Sequence, residues 1–199
     1  MTNLLILYPE GFASLSKFER KLSKITSRFD TFSIIHQGDP HAFINTLFAN
    51  DKRVSSINQT TTLQETNISH AVVIDDGEEF TQQHAWLVEQ SIPTRWIKVP
   101  ITRVINIKRE TCYTKNTTAY EYIGRGSYWG NPHAMFEQGE SREEVIRQYE
   151  YDFTYDKFIN IDPTRVHELT GKRLGCHCKP AACHGDVLAN YLNQYDDGK

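Results

Sequence analysis

Short apolar runs alternate with segments of helical periodicity through the first hundred residues of this chain. Residues 4–7 and 71–74 are uninterrupted aliphatic stretches, as is typical of strands that are buried on both faces. Between them, Leu15, Phe18 and Leu22 recur at spacings of three and four residues, which places them on one face of a helix. Strands that alternate with helices form a parallel sheet with helices on its faces. The sequence therefore predicts an α/β fold with a parallel sheet in its first half.

The pattern changes after the first hundred residues, where the apolar segments become shorter. Residues 104–107 and 119–123 have the β-branched and aromatic content of strands. We therefore expect two domains, one over residues 1–100 and a smaller α/β domain over residues 101–195 that packs on the first. Residues 196–199 are expected to form a loose tail.

The charge balance of the chain limits its partners. Its 22 basic and 25 acidic residues give a formal net charge of -3, so we expect no binding to a nucleic-acid polymer. Basic residues concentrate between Arg95 and Arg125, where seven lysines and arginines face two glutamates. This local charge suits a small anion, and a solvated basic face explains it equally well.

Apolar runs and cysteines indicate the compartment. No apolar run reaches the length of a membrane-spanning helix, and the N-terminus lacks the charged and apolar regions of a signal peptide. Three of the four cysteines cluster between residues 175 and 186, unlike the spaced pairs of a secreted disulfide framework. We therefore expect a cytoplasmic protein with reduced thiols and no membrane partner. The sequence leaves a homo-oligomer open.

The densest group of reactive side chains is the stretch Gly-Cys-His-Cys-Lys-Pro-Ala-Ala-Cys-His-Gly-Asp at residues 175–186. Leu174 stands immediately before it, and apolar residues at helical spacing follow it from Val187 to Leu192. The stretch is therefore predicted to form a tight loop between a strand and a helix. The N-terminus of a helix offers free backbone N–H groups and the positive end of its dipole, which favour an anion or a thiolate.

Three interpretations of this stretch remain open from the residues alone. It contains four side chains of the types that bind zinc, which are Cys176, Cys178, Cys183 and His184. Because Cys183 and His184 are adjacent and the set is short, we expect no metal and no cofactor. In the second interpretation, Cys178 or Cys183 is a nucleophile with His184 as its acid or base. In the third, the cysteines pack as small hydrophobes while three polar side chains cap the loop or contact a ligand, namely Lys179, His184 and Asp186.

A second polar segment follows the predicted strand at residues 119–123. Its candidate ligand-binding residues are Gly124, Arg125, Gly126, Ser127, Trp129 and Asn131. The first four supply a flexible turn, a guanidinium and a hydroxyl, which suit a phosphate or the edge of a base. Trp129 offers a stacking face, and Asn131 can make two hydrogen bonds to a purine or amide-like edge. Alternatively, Trp129 anchors the core and Asn131 satisfies the backbone of the loop.

The two polar segments are expected to form one site. Each follows a predicted strand, so we predict that residues 124–131 and residues 179–186 meet in one cavity. Within it, three side chains are assigned catalytic roles, namely Cys178, His184 and Asp186. Lys179 and Cys183 are assigned to ligand binding together with the residues of the first segment. Asp186 is equally well explained as a helix cap.

The second half of the chain resembles a small family, the domain of unknown function 4326, which is found often in phages. The matching sequences are Tyr-Ile-Gly-Arg-Gly-Ser at 122–127, Trp-Gly-Asn-Pro at 129–132, Arg-Glu-Glu-Val-Ile at 142–146, Gly-Lys at 171–172 and the Cys/His stretch continued to Leu188. The resemblance covers about half of the chain in order and spacing. It implies where the site lies and implies no activity.

The first half resembles a degenerate SLOG-type domain, from a Rossmann-like group that includes nucleotide-binding and cytokinin-activating proteins. Ile-Asp-Asp-Gly at 74–77, Thr81 and Ile-Pro-Thr-Arg-Trp-Ile at 92–97 resemble its later strand, helix and strand. The glycine-rich phosphate loop of that group is reduced here to His-Gln-Gly-Asp-Pro-His at 36–41. With one glycine and a proline, this loop is poorly suited to a phosphate. We predict that the main site lies in the second half.

These observations lead to one main hypothesis and two alternatives. The chain is expected to recognise a nucleotide-derived small molecule as a phage-type accessory protein, in the host cytoplasm if a phage encodes it. The hypothesis extends to cleavage or transfer at the glycosidic or phosphate linkage of that molecule. The first alternative is a phage protein that sequesters nucleotide immune signals without turnover. The second is a zinc-stabilised interaction module without small-molecule chemistry.

Overall fold

The computed structural model describes residues 2–110, 113, 115–134 and 140–198. The chain divides into two compact units, Met1–Pro100 with Gln194–Lys199, and Ile101–Asn193. Each unit contains a parallel sheet with helices, so the predicted α/β fold class is confirmed. Among the helices of the described ranges, none combines the length and the apolar character that crossing a membrane requires.

The first unit is built on a five-stranded, all-parallel sheet. Its strands are β1 (Thr2–Leu7), β2 (Phe32–His36), β3 (Val54–Gln59), β4 (His70–Asp75) and β5 (Thr94–Lys98), in the spatial order β3-β2-β1-β4-β5. The central strands β1, β2 and β4 are buried along most of their length, as their continuous apolar sequences require. The strand order reverses beside β1, as it does in Rossmann-like sheets.

The helices of the first unit are α1 (Leu15–Thr26), α2 (Phe43–Phe48) and α3 (Thr81–Glu89), with a 3₁₀ turn at Leu63–Glu65. The predicted apolar face of α1 is confirmed, because Phe18 and Leu22 are fully buried. Ser14 stands at the N-cap of α1, but its hydroxyl makes no capping hydrogen bond and lies 3.4 Å from the hydroxyl of Ser16.

At the carboxyl edge of the first sheet, two aspartates accept hydrogen bonds from backbone N–H groups. The Asp39 carboxylate accepts hydrogen bonds from the N–H groups of Ile44 and Asn45, each at 3.0 Å, and from the Tyr8 hydroxyl. Asp75 is fully buried and accepts from the N–H groups of Asp76 and Phe80. Burial raises the pKa of Asp75. The amides that a phosphate would use are therefore bonded to the chain's own carboxylates, which agrees with a reduced phosphate loop.

Asp39→Ala is expected to destabilise the protein by about 1–2 kcal/mol, because it removes the capping bonds of α2. Burial raises the pKa of Asp39, but hydrogen bonds from Tyr8, Asn45 and Ile44 outweigh burial and leave it lowered. The contribution of Asp39 is therefore present above the ordinary carboxyl pKa and is lost as the pH falls toward the folded pKa. Urea unfolding at neutral and acidic pH measures both effects. The exposed Asp30→Ala is the control, and equal stability of the two variants would contradict the capping role.

The second unit contains a three-stranded parallel sheet in the order β6-β8-β7, with β8 at its centre. Its elements are β6 (Arg103–Asn106), β7 (Tyr120–Tyr122), α4 (Arg142–Thr154), a 3₁₀ helix (Pro163–Leu169), β8 (Arg173–Cys176) and α5 (His184–Gln194). Ser141 is the N-cap of α4, and its hydroxyl accepts the backbone N–H of Glu144 at 3.2 Å, as in a capping box. The core contains Trp129, Tyr149, Leu174 and Leu188.

The last residues of the chain are tied to the first unit by ion pairs. Asp196 accepts two hydrogen bonds from the Arg20 guanidinium, at 2.7 and 2.9 Å. Asp197 lies 2.9 Å from the ammonium group of Lys17, a side chain that is itself largely buried. Residues 195–198 have no regular secondary structure, yet two of their carboxylates have cationic partners.

Candidate functional site

The three parallel strands of the second unit end at the same edge of their sheet. β8 ends at Cys176 and runs into the Cys/His loop, while β7 leads through Ile123 to Gly124. β6 ends at Asn106, whose side-chain amide donates to the carbonyl of His177 at 3.3 Å and to that of Lys179. Asn106 therefore holds the Cys/His loop in place. The carboxyl edge of a parallel sheet is the usual place for a ligand site, and the candidate residues gather there.

A cavity of about 180 Å³ opens at this edge. It is lined by Gly124, Arg125, Asn131, His133, Arg142, Val145, Ile146, Cys176, His177, Cys178, Ala182, Cys183 and His184. Six of the residues that the sequence assigned to a site are among them, which are Gly124, Arg125, Asn131, Cys178, Cys183 and His184. The structure thus brings the two polar segments to one cavity. The roles assigned to these side chains stay predictions.

The other assigned residues lie elsewhere. Gly126 and Ser127 line a neighbouring cavity of about 550 Å³. Lys179 pairs with Asp186 at 2.7 Å, and the Asp186 carboxylate also accepts the backbone N–H of Cys183 at 2.9 Å. Asp186 is therefore held as a cap of the first turn of α5, the alternative that the sequence left open.

Trp129 and Asn131 make the core and loop-backbone contacts that the sequence left open as alternatives to ligand binding. Trp129 is 2% exposed and belongs to the core of the second unit, so its ring offers no stacking face to the 180 Å³ cavity. The Asn131 amide donates to the Val145 carbonyl at 2.9 Å and accepts the His133 N–H at 2.9 Å. Asn131 lines the cavity, but its amide is used to join the polar loop to α4.

Tight backbone packing explains two glycines of this loop. Gly126 has a φ of +85°, in the left-handed region that glycine adopts without strain. A Cβ atom at Gly130 would lie 2.7 Å from the carbonyl oxygen of Gly124, inside van der Waals contact. The loop therefore closes on itself in a shape that other residues would disturb.

Three cysteine sulfur atoms meet at the inner wall of the cavity. The Sγ atoms of Cys176, Cys178 and Cys183 all lie within 4.8 Å of one another, and those of Cys176 and Cys178 are 3.5 Å apart. Hydrogen bonding from Cys183 lowers the pKa of Cys176 to about 5. The same bond and burial raise the pKa of Cys183, and burial raises that of Cys178. The thiolate that this environment favours is therefore Cys176, which the sequence named as a possible zinc ligand and not as a nucleophile.

His184 is held as a neutral imidazole. Its Nε2 lies 2.9 Å from the carbonyl oxygen of Ile123, which can only accept, so Nε2 carries the proton. Its Nδ1 lies 3.7 Å from the Cys183 sulfur. Burial lowers the pKa of His184, in agreement with the neutral form. Both ring nitrogens therefore face protein groups.

The cavity is cationic. Among the described residues that line it, two are arginines and none is acidic. Arg125 is exposed, whereas Arg142 is half-buried and donates to the Ala182 carbonyl at 3.2 Å. Arg142 stands at the first turn of α4, beside the Ser141 cap. Sequence reasoning assigned no site role to this residue, because the sequence does not show that α4 packs beside the Cys/His loop.

The remaining lining residues had no catalytic or ligand-binding role assigned from the sequence. They are His133, Val145, Ile146, Cys176, His177 and Ala182. His133 pairs with Asp152 at 2.8 Å and lies on the border with the 550 Å³ cavity. Arg125 and Asn131 line that second cavity too. The two cavities are thus adjacent and share three residues.

Known proteins match the two halves of the chain separately. The model of the minimal SLOG domain matches residues 1–105, and the model of the domain of unknown function 4326 matches residues 105–194. An uncharacterized 12.4 kDa protein in the nrdA-td intergenic region of Enterobacteria phage T4 is 40% identical over 73 residues. The match covers 36% of this chain and 66% of the phage protein, which is less than two thirds of its length. No solved structure matches the chain significantly.

Proposed function

Because this chain belongs to the minimal SLOG domain family, we propose that it recognises a nucleotide-derived small molecule, and that the cavity of the second unit binds it. The SLOG group includes nucleotide-binding proteins, and a phage encodes a relative of this chain. These facts support a phage-type accessory protein. The nucleotide-derived ligand and its binding in the second unit are both part of this proposal.

The observation that carries the proposal is the pair of arginines in a cavity without acidic lining among the described residues. A guanidinium binds a phosphate through two parallel hydrogen bonds, and the opposite charges of the two groups strengthen these bonds. Val145 and Ile146 supply an apolar wall beside Arg142. A cationic end and an apolar wall together match a phosphorylated, partly apolar ligand.

The sizes of the two cavities indicate which part of such a ligand each could hold. At about 180 Å³ the cationic cavity is smaller than the roughly 300–1,000 Å³ of complete small-molecule sites. It therefore fits one part of a nucleotide, such as a phosphate with its sugar. The adjacent cavity of about 550 Å³ shares Arg125, Asn131 and His133, and it has room for the remainder.

Binding without turnover is the form that the geometry favours. Both nitrogens of His184 face protein groups, so this residue can exchange a proton with a ligand only through the Cys183 thiol. Asp186 is engaged with Lys179 and the backbone. Cleavage or transfer at a glycosidic or phosphate linkage would then depend on one of the cysteine thiols that line the cavity. Sequestration of a nucleotide signal therefore ranks before catalysis.

The test is calorimetric titration of the full chain with a ligand panel, followed by chromatography of each mixture. The panel contains nucleoside monophosphates, dinucleotides and cyclic dinucleotides, with the matching unphosphorylated nucleosides as controls. We expect at least one phosphorylated member to bind, its nucleoside to bind at least about tenfold more weakly, and the ligand to be recovered intact. Equal affinity for nucleotide and nucleoside, or no binding by any member, would overturn the proposal. Recovery of cleaved ligand would establish an enzyme instead.

A further inference from the structure

The cysteine sulfur atoms are spaced as the ligands of a single metal ion are. Zinc binds thiolate sulfur at about 2.3 Å in tetrahedral geometry, which places two sulfur ligands about 3.8 Å apart. The sulfurs of Cys176 and Cys178 are 3.5 Å apart, and all three sulfurs, including that of Cys183, lie within 4.8 Å of one another. Each pair is therefore within about 1 Å of the separation that one zinc ion requires.

The Cys183 sulfur also has a hydrogen-bond donor that suits a thiolate. The backbone N–H of Gly185 donates to the Cys183 sulfur at 3.4 Å. Outer contacts of this kind orient metal ligands and stabilise their negative charge. A thiol that served only to fill the core would need no such donor.

We propose that Cys176, Cys178 and Cys183 bind one Zn²⁺ ion whose fourth coordination position opens into the arginine-lined cavity. All three cysteines line that cavity, so the open position faces the space that we assign to the ligand. A site with three protein ligands and one open position exchanges water or a ligand atom, whereas structural zinc sites are closed by four. The ion would bind by displacing the thiol protons, so one proton leaves for each thiolate formed.

The sequence argument against zinc rested on the adjacency of Cys183 and His184. In the structure the three sulfurs converge without His184, so two neighbouring side chains need not share the ion. The Nδ1 of His184 lies 3.7 Å from the sulfur of Cys183, and its Nε2–H donates to the Ile123 carbonyl. His184 therefore lies outside the ligand set, because its Nε2–H is already bonded to a carbonyl group.

Zinc content of the full chain tests the site without any nucleotide. The protein is purified after expression in zinc-supplemented medium, freed of any affinity tag and analysed for metals. We expect about one zinc per chain, and less than about a tenth of that in Cys176→Ser and in Cys178→Ser. Cys112→Ser is the matched control, since Cys112 lies outside the described residues and outside the proposed ligand set. It should keep its zinc.

Cobalt substitution keeps the test valid if a serine variant folds poorly. The wild-type chain, stripped of metal and loaded with Co²⁺, should show thiolate-to-cobalt charge-transfer absorption and the visible bands of a tetrahedral ion. Titration of free thiols should find three fewer reactive groups with metal than after chelation. A chain that neither contains nor takes up zinc would overturn the proposal, as would iron or copper in its place. Loss of zinc in Cys112→Ser would overturn the three-cysteine set, and a disulfide between Cys176 and Cys178 in freshly purified protein would do the same.

The experiments distinguish failure of the proposed metal site from failure of the proposed nucleotide binding. Zinc analysis needs no ligand, and the ligand panel is titrated with both metal-loaded and chelated protein. Nucleotide binding without zinc would leave the proposed function standing and remove the metal site. Zinc without nucleotide binding would leave the metal site standing and support the zinc-stabilised interaction module.

Discussion

Arg125→Ala is expected to weaken the binding of a phosphorylated nucleotide by about tenfold or more. Arg125 is exposed at the mouth of the cationic cavity and also lines the larger cavity beside it. Its guanidinium is placed to make charge-assisted hydrogen bonds to a phosphate, and each such bond contributes on the order of 1.5–3 kcal/mol. Loss of one bond at the lower end of that range corresponds to about a tenfold change in affinity. Calorimetric titration with the ligand identified from the panel measures the change.

Two control variants accompany this measurement. Arg28→Ala removes the same charge from an exposed position of the first unit, and it should leave affinity nearly unchanged. Asp76→Ala tests the carboxyl edge of the first sheet, where we expect a much smaller effect than at Arg125. If Asp76→Ala proves the more damaging change, the site lies in the first unit and our placement is wrong.

Trp129→Ala is expected to destabilise the protein by about 3–5 kcal/mol, the usual loss when a buried tryptophan is truncated. The ring is 2% exposed in the core of the second unit, and the Trp129 carbonyl accepts the buried Tyr149 hydroxyl at 3.1 Å. The loss combines apolar transfer with the cavity left behind, because the surrounding side chains relax only partly. Urea unfolding followed by circular dichroism measures it, with the two units allowed to unfold in separate transitions.

The control for this prediction is Tyr155→Ala, an aromatic residue that is 60% exposed and should change stability by less than about 0.5 kcal/mol. The comparison also decides between the two roles considered for Trp129. A Trp129→Ala protein that keeps its stability but loses nucleotide affinity would restore the stacking role and contradict the core role.

Local sequence patterns were sufficient to predict several strands and helices of the fold. The strands β1 and β4 were predictable because strands buried on both faces need continuous apolar sequence, and α1 because its apolar residues repeat at helical spacing. Ser141 was predictable as a cap because a capping box depends on residues only three positions apart. Ser14 at the N-cap of α1 makes no such bond, and its hydroxyl lies beside that of Ser16 instead.

The site depended on contacts between distant parts of the chain. The residues that the sequence could find were those in dense polar segments, such as Arg125, Cys178 and His184. It could not find Arg142, because only the packing of α4 beside the Cys/His loop brings this guanidinium to the Ala182 carbonyl. Nor could it show that the amide of Asn131 is already used by the Val145 carbonyl.

The sequence by itself determined the α/β class, the separation of the two halves and the two polar segments, since each follows from periodicity and composition over a few neighbouring residues. Only the tertiary structure decided how the chemistry is distributed. Parallel pairing of β7 with β8 sets the carbonyl of Ile123 against His184, across 61 positions of the chain, and so fixes the proton on Nε2. The turn after β8 folds Cys183 back onto Cys176 and Cys178, which places three sulfurs in one cluster. Spacing along the chain carries no information on either contact, because both are set by the register of the sheet and the path of a loop.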